Sequence, residues 1–200
     1  PVGEMTRART AILISGRGSN MMALVEAARA ADYPAEVVCV VSNRADAKGL
    51  EFAAANGIAT KVVDHRAYPS REGFESALDQ YLRSMNVEAV ALAGFMRVLT
   101  GHFLSGWDGR MLNIHPSLLP AYKGLHTHER AIAEGAKVHG CSVHLVTPEL
   151  DGGPVLMQAQ VPVLPGDTPD TLAARVLREE HRIYPQALAW LANRIIEERE

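Results

Sequence analysis

The chain has 200 residues, 48% hydrophobic and 22% charged, and a formal net charge of -3. A chain of this size buries a core without disulfide or metal staples. Its charge excludes a nucleic-acid binder that depends on bulk positive potential, though not a small anion held by a local site. No apolar run approaches the length of a membrane span, so no membrane association is expected. Cys39 and Cys141 each lie inside an apolar run without a Cys-x-x-Cys pair, which reads as two buried, reduced thiols. The opening segment Pro1–Arg9 is polar, lacks an apolar signal core and reads as a frayed tail. Together these features predict a cytoplasmic location.

In chain order, Thr10–Ser15 is a β-rich run ended by a Gly/Ser/Asn turn, and Asn20–Ala31 carries apolar residues at helical spacing. Glu36–Ser42 is a second apolar strand, Asp46–Asn56 a helix stopped by Gly57, and Ala59–Val63 a weaker third strand. Ser70 caps an amphipathic helix running to Met85, and Val87–Ala93 is a fourth strand ended by Gly94. The second half opens with a strand over Arg110–His115 and a proline-rich loop over Pro116–Gly124. A helix from about Thr127 to Glu134 follows, then two longer strands, Val138–Thr147 and Val155–Val163, around Asp151-Gly152-Gly153-Pro154. A helical region, Thr168–Glu198, is expected to be interrupted or kinked near Pro185. Strands that alternate with helices and are apolar on both faces predict an α/β fold. The expected sheet is doubly wound and mostly parallel, with a Rossmann-like N-terminal half and a mixed C-terminal part. The expectation is one domain over 1–200, with a first half over about 10–94 and a second over about 95–200.

Ser15-Gly16-Arg17-Gly18-Ser19-Asn20 joins the first strand to the first helix, where glycines and free helix N–H groups suit an anion. It departs from a dinucleotide fingerprint. Met21 occupies the third glycine position, and the second strand ends Ser42-Asn43-Arg44 with no carboxylate for a ribose diol. A monophosphate fits better than a nicotinamide cofactor, and a structural glycine turn is the third alternative. In Asn113-Ile114-His115-Pro116 the Asn and His side chains share one face of a strand. Two polar groups there are costly to bury without partners, although a satisfied core pair is the simpler alternative. Asp151, before Gly-Gly, reads alone as a β-turn residue.

Six blocks in order carry a resemblance: the Ser15–Asn20 loop, Ala93-Gly94-Phe95-Met96-Arg97-Val98-Leu99, Leu112–Pro120, Gly124-Leu125-His126-Thr127-His128, Glu149–Pro154 and Glu180-His181-x-Ile183-Tyr184-Pro185. From about Thr10 to Trp190 the chain resembles the phosphoribosylglycinamide formyltransferase family, which implies the formyltransferase fold, with about 10–94 as a nucleotide-phosphate-binding half and about 95–200 as a folate-binding and catalytic half. The resemblance implies transfer of a formyl group from 10-formyltetrahydrofolate, the co-substrate, to the amine of 5-phosphoribosylglycinamide in purine synthesis. It implies Asn113, His115 and Asp151 as the catalytic trio, with Gly18, Ser19, Asn20 and Glu180 on the ribonucleotide. Arg71, Met96, Arg97, Val98, Leu99, Asn113, Thr147, Glu149, Leu150 and Asp151 then form the folate side. Pro148 departs from the family pattern, a polar residue being expected there, and has no backbone N–H to donate. Small-molecule substrates are the implied partners, with no nucleic acid and no membrane, and either monomer or homodimer is compatible.

The eight histidines raise a metal site, but no Cys/His cluster or His-Glu-x-x-His motif is present, and none is expected. His144, inside an apolar strand, reads as a hydrogen-bonded core residue. Methionyl-tRNA formyltransferases share the Asn-x-His and Ser-Leu-Leu-Pro elements, and formyltetrahydrofolate deformylases are similar. Both resemble longer chains with an added domain, and the phosphate loop and Gly-Leu-His-Thr-His favour the ribonucleotide family. A catalytically silent nucleotide- or folate-binding module is the alternative of a different class.

Overall fold

A computed structural model describes residues 7–200. One sheet of seven strands crosses both halves of the chain: β1 (Ala8–Ile14), β2 (Ala35–Ser42), β3 (Ala59–Val62), β4 (Ala89–Leu92), β5 (Met111–His115), β6 (Val138–Leu145) and β7 (Val155–Pro162). Their order is β3-β2-β1-β4-β5-β6-β7. The first five pair in parallel, while β6 and β7 join antiparallel, as the change of character in the second half led us to expect.

Side-chain alternation assigns the two faces. Ile12 and Ile14 of β1 and Ala89 and Ala91 of β4 enter one core with Leu24, Leu188 and Leu191. Leu13, Val90 and Leu92 enter the other with Phe74, Leu78 and Trp107. The first face is covered by α1 (Ser19–Ala28) and α6 (Pro169–Glu198), the second by α3 (Arg71–Ser84) and α4 (Gly101–Ser105). The remaining helices are α2 (Gly49–Ala55) and α5 (Thr127–Ala133), with a 3-10 turn at His65–Ala67. Cys39 and Cys141 are free and buried, and burial pushes each thiol up to about 12.

Local chemistry accounts for most boundaries. Ser70 accepts from the Gly73 N–H as the cap of α3, and Gly57, at φ 73°, ends the turn after α2. Two expectations change and one helix is new. The polar tail is not frayed as far as Arg9: Ala8 and Arg9 begin β1, and the Arg7 guanidinium donates to the carbonyls of Ala28 and Ala30 at the end of α1. Pro1–Thr6 lies outside the described residues. The final helix is not interrupted at Pro185. It runs from a capping box at Thr168 to Glu198, because the row Ile183, Tyr184, Ala187, Leu188 and Leu191 is buried along the sheet and outweighs one missing N–H. Finally, α4 follows Thr100, a short helix that five residues cannot announce by periodicity.

Candidate active site

β5 ends where β6 begins to pair with it, and the antiparallel register sets Asn113 opposite His144 and His115 opposite Ser142. Leu112 and Ile114 face the α6 side of the sheet, so Asn113 and His115 share the other face. Asp151 reaches them from the turn between β6 and β7. It holds a left-handed backbone at φ 51°, a conformation that Asp tolerates better than most residues.

The proton positions follow from the partners. His115 Nε2 lies 2.8 Å from the Tyr122 carbonyl, which can only accept, so Nε2 carries a hydrogen. Its Nδ1 edge faces Asp151 Oδ2 at 3.6 Å, and both side chains are buried. Asp151 Oδ2 also accepts from the Gly124 N–H at 2.9 Å, which ties the glycine turn to the proline-rich loop. His144 Nδ1 donates to the Leu145 carbonyl at 3.1 Å, leaving Nε2 as an acceptor 3.4 Å from Asn113 Nδ2. Asp151 Oδ1 stands 3.9 Å from His144, but burial outweighs that attraction and holds the imidazole below its usual range, neutral. His144 is therefore more than a satisfied core residue: it orients the Asn113 amide. Its partner became visible only with the register of β6, which sequence periodicity does not give.

Asn20 of the phosphate loop lines a cavity of about 360 Å³ together with Gly94, Ile114, Pro116, His128 and Glu180, among others. Gly18 precedes α1 at φ 69°, where a Cβ would be strained. The Gly49 N–H holds the Gly16 carbonyl at 3.0 Å. Asn20 does not cap the helix. Its Nδ2 donates to Glu180 Oε1 at 3.0 Å, while its buried Oδ1 has no partner among the described residues. Burial raises the Glu180 carboxyl, with the Asn20 bond opposing.

On the expected folate side, Met96 (69% exposed), Val98 (66%) and Leu150 (63%) carry exposed apolar side chains. Leu99 differs: its side chain is buried in the core with Phe103, so only its backbone can face a ligand. Pro148 packs over Gly101, since a Cβ there would meet the proline ring at 3.6 Å, which places the 147–151 loop beside the 96–100 loop. Glu149 is exposed, 3.8 Å from Lys123, and Thr147 is half-buried. Arg71 begins α3 and Arg97 lies within the loop.

His128, in the cavity wall, has its Nδ1 3.0 Å from His139 Nε2, and burial lowers both imidazoles, His139 to about 4. His139 is neutral in the folded state, whereas the unfolded chain takes up a proton near pH 6.5. Its contribution to stability is full above pH 6.5 and is lost as pH falls from there toward 4. The loss should reach about 2–3 kcal/mol, at ~1.4 kcal/mol per unit. Urea unfolding between pH 7.5 and 4.5 should show it, with a flatter profile for His139→Gln. Equal slopes in the two proteins would refute the assignment. Among the described residues no group of three or more His, Cys, Asp or Glu is placed to hold a metal ion, and no helix is long and apolar enough to cross a membrane.

A phosphate-type loop and a buried His–Asp pair at the carboxyl edge of a doubly wound sheet are the kind of site at which α/β enzymes act on phosphorylated small molecules. Known proteins narrow this class. The formyl transferase family pattern matches residues 8–188. Phosphoribosylglycinamide formyltransferase of Escherichia coli is 50% identical over 182 residues, 91% of this chain and 86% of that protein. The human trifunctional purine biosynthetic protein adenosine-3 is 46% identical over 190 residues, and the chain spans only 19% of its length. The crystal structure of phosphoribosylglycinamide formyltransferase from Brucella melitensis matches with a TM-score of 0.90 at 54% identity, over 93% of this chain and 96% of that one. The chain belongs to the formyl transferase family.

Proposed function

We propose that the protein transfers the formyl group of 10-formyltetrahydrofolate to the amine of 5-phosphoribosylglycinamide. The observation that carries this reading is the meeting of Asn113, His144, His115 and Asp151 at the carboxyl end of β5. In this reading Gly18, Ser19 and Asn20 hold the ribonucleotide phosphate at the α1 N-terminus. Glu180 and the unpartnered Asn20 Oδ1 accept from ribose hydroxyls or the ammonium group. Met96, Val98 and Leu150 cover the pterin, with Arg71 and Arg97 available to the carboxylates of the folate tail. The 10–94 half would then supply the phosphate side and the 95–200 half the folate and catalytic side, with Glu180 crossing back.

The amine nitrogen attacks the formyl carbon, the new C–N bond forms, and the carbonyl oxygen takes the electron pair. One Asn113 N–H is engaged by His144 and the other donates to that oxyanion. The amine then loses a proton and the departing folate nitrogen gains one as its bond to carbon breaks. His115, with Nδ1 facing Asp151, carries this exchange directly or through a water. Holding the two substrates in reacting geometry supplies much of the remaining acceleration.

Release of tetrahydrofolate should require both substrates. Donor consumption without the ribonucleotide would mean a deformylase, and formylation of initiator tRNA alone would also overturn the reading. Glu180→Gln keeps the side-chain shape and the Asn20 contact but removes the charge. It should raise the ribonucleotide KM about 10-fold or more, the scale of a lost charged hydrogen bond, with the donor KM unchanged. Equal shifts in both KM values would count against Glu180 as a ribonucleotide contact.

A further inference from the structure

The 96–100 loop, which exposes Met96 and Val98, is held by two buried polar side chains that nothing in the chemistry above uses. At one end, Ser15 Oγ accepts from the Met96 N–H at 2.8 Å and donates to Asn43 Oδ1, whose amide nitrogen lies 3.2 Å from His65 Nδ1. Ser15 and Asn43 are 7% and 3% exposed. The carboxyl ends of β1, β2 and β4 and the turn after β3 are thereby joined in one chain of hydrogen bonds.

At the other end stands Glu75 of α3, 5% exposed. Its two oxygens accept from the Thr100 N–H at 2.7 Å and from the Thr100 hydroxyl at 2.6 Å. A buried carboxylate with no cation bonded to it among the described residues is a costly way to cap a five-residue helix. Thr100 already caps α4 itself, by accepting from the Phe103 N–H. What both Glu75 bonds fix is the position of Thr100, the point where the 96–100 loop lands. Ser15 fixes the point where it departs. Between the two anchors Met96 and Val98 stand out into solvent.

We propose that Ser15 and Glu75 are positioning residues that suspend the 96–100 loop as a rigid arch, pre-ordered for the flat ring of the formyl donor. The proposal rests on the reading of Met96 and Val98 as the pterin surface. A loop ordered before the ligand arrives saves the ordering cost in the ground state and the transition state alike, so its loss falls on KM for the donor rather than on kcat. Ser15→Ala removes the acceptor for Met96. Glu75→Leu removes both acceptors for Thr100. Each change should raise the donor KM about tenfold, the scale of one buried hydrogen bond, and leave kcat and the ribonucleotide KM within about twofold.

Steady-state kinetics on the full chain, with the two substrates varied separately, tests this. Ser15→Thr, which keeps the hydroxyl, should restore the donor KM, which a general weakening of the fold would not predict. Val98→Asp serves as the reference for the loop itself. If Val98→Asp raises the donor KM and Ser15→Ala does not, the arch is refuted while the pterin reading stands. If both variants leave the donor KM at the wild-type value, the pterin reading fails and the proposal with it. A parallel rise in both KM values, or a fall in kcat at constant KM, would likewise overturn the positioning role.

Discussion

Asp151→Asn is expected to lower kcat by about 10²–10⁴-fold, the range associated with loss of a positioned acid–base partner, with the fold intact. The substitution isolates the charge. Asp151 holds φ 51°, and Asn is one of the few residues that tolerates this region, so the turn keeps its backbone. The Asn carbonyl can still accept from the Gly124 N–H, which Asp151 Oδ2 now engages at 2.9 Å. What disappears is the anion 3.6 Å from His115 Nδ1. His115→Ala should cost kcat a similar factor, and it also strands the Tyr122 carbonyl that His115 Nε2 now serves. The two residues act on one proton, so the double variant should be little slower than either single one. Single-turnover rates and thermal melts on all three proteins would check this. Additive losses, or an Asp151→Asn protein with near wild-type kcat, would remove Asp151 from the proton exchange.

How far the sequence disclosed these features depends on the distance over which each is determined. The strands were legible because a sheet covered on both faces demands continuous apolar runs, such as Glu36–Ser42. Asn113 and His115 were legible as same-face neighbours because the period of a strand is local. His144 was not. It joins Asn113 through the antiparallel register of β5 and β6, and no pattern within either strand fixes that register. The Ser15 bond to Met96 spans 81 positions, and the Asn20 bond to Glu180 spans 160. Each of those residues taken alone reads as an ordinary turn or helix residue. Pro185 misled in the opposite direction, because its local rule is strong, yet the buried face of α6 overrides it.

The neighbouring glycines of the Asp151 turn should respond oppositely to the same substitution. A Cβ on Gly153 would lie 1.8 Å from the Leu145 carbonyl oxygen and 2.9 Å from its carbon. Those are backbone atoms at the end of β6, and the Leu145 N–H is itself bonded to the Pro154 carbonyl at 2.9 Å. Neither strand can yield without breaking that pair, so the turn must shift and carry Asp151, two residues earlier, away from His115. A displacement of ~1 Å at a reacting group costs on the order of 100-fold in rate, and the strained core should lose roughly 1–3 kcal/mol of stability. Gly153→Ala is therefore expected to depress both kcat and the urea midpoint. The three atoms nearest a Cβ on Gly152 would all belong to the Glu149 side chain, the closest at 2.4 Å. That side chain is 73% exposed and free to swing out, at the cost of its 3.8 Å approach to Lys123. Gly152→Ala should accordingly retain kcat within about threefold, the small effect usual for a surface substitution. Comparable losses in the two variants would mean that the turn is not held by the Gly153–Leu145 contact. The position of Asp151 would then have to come from its bond to Gly124 alone.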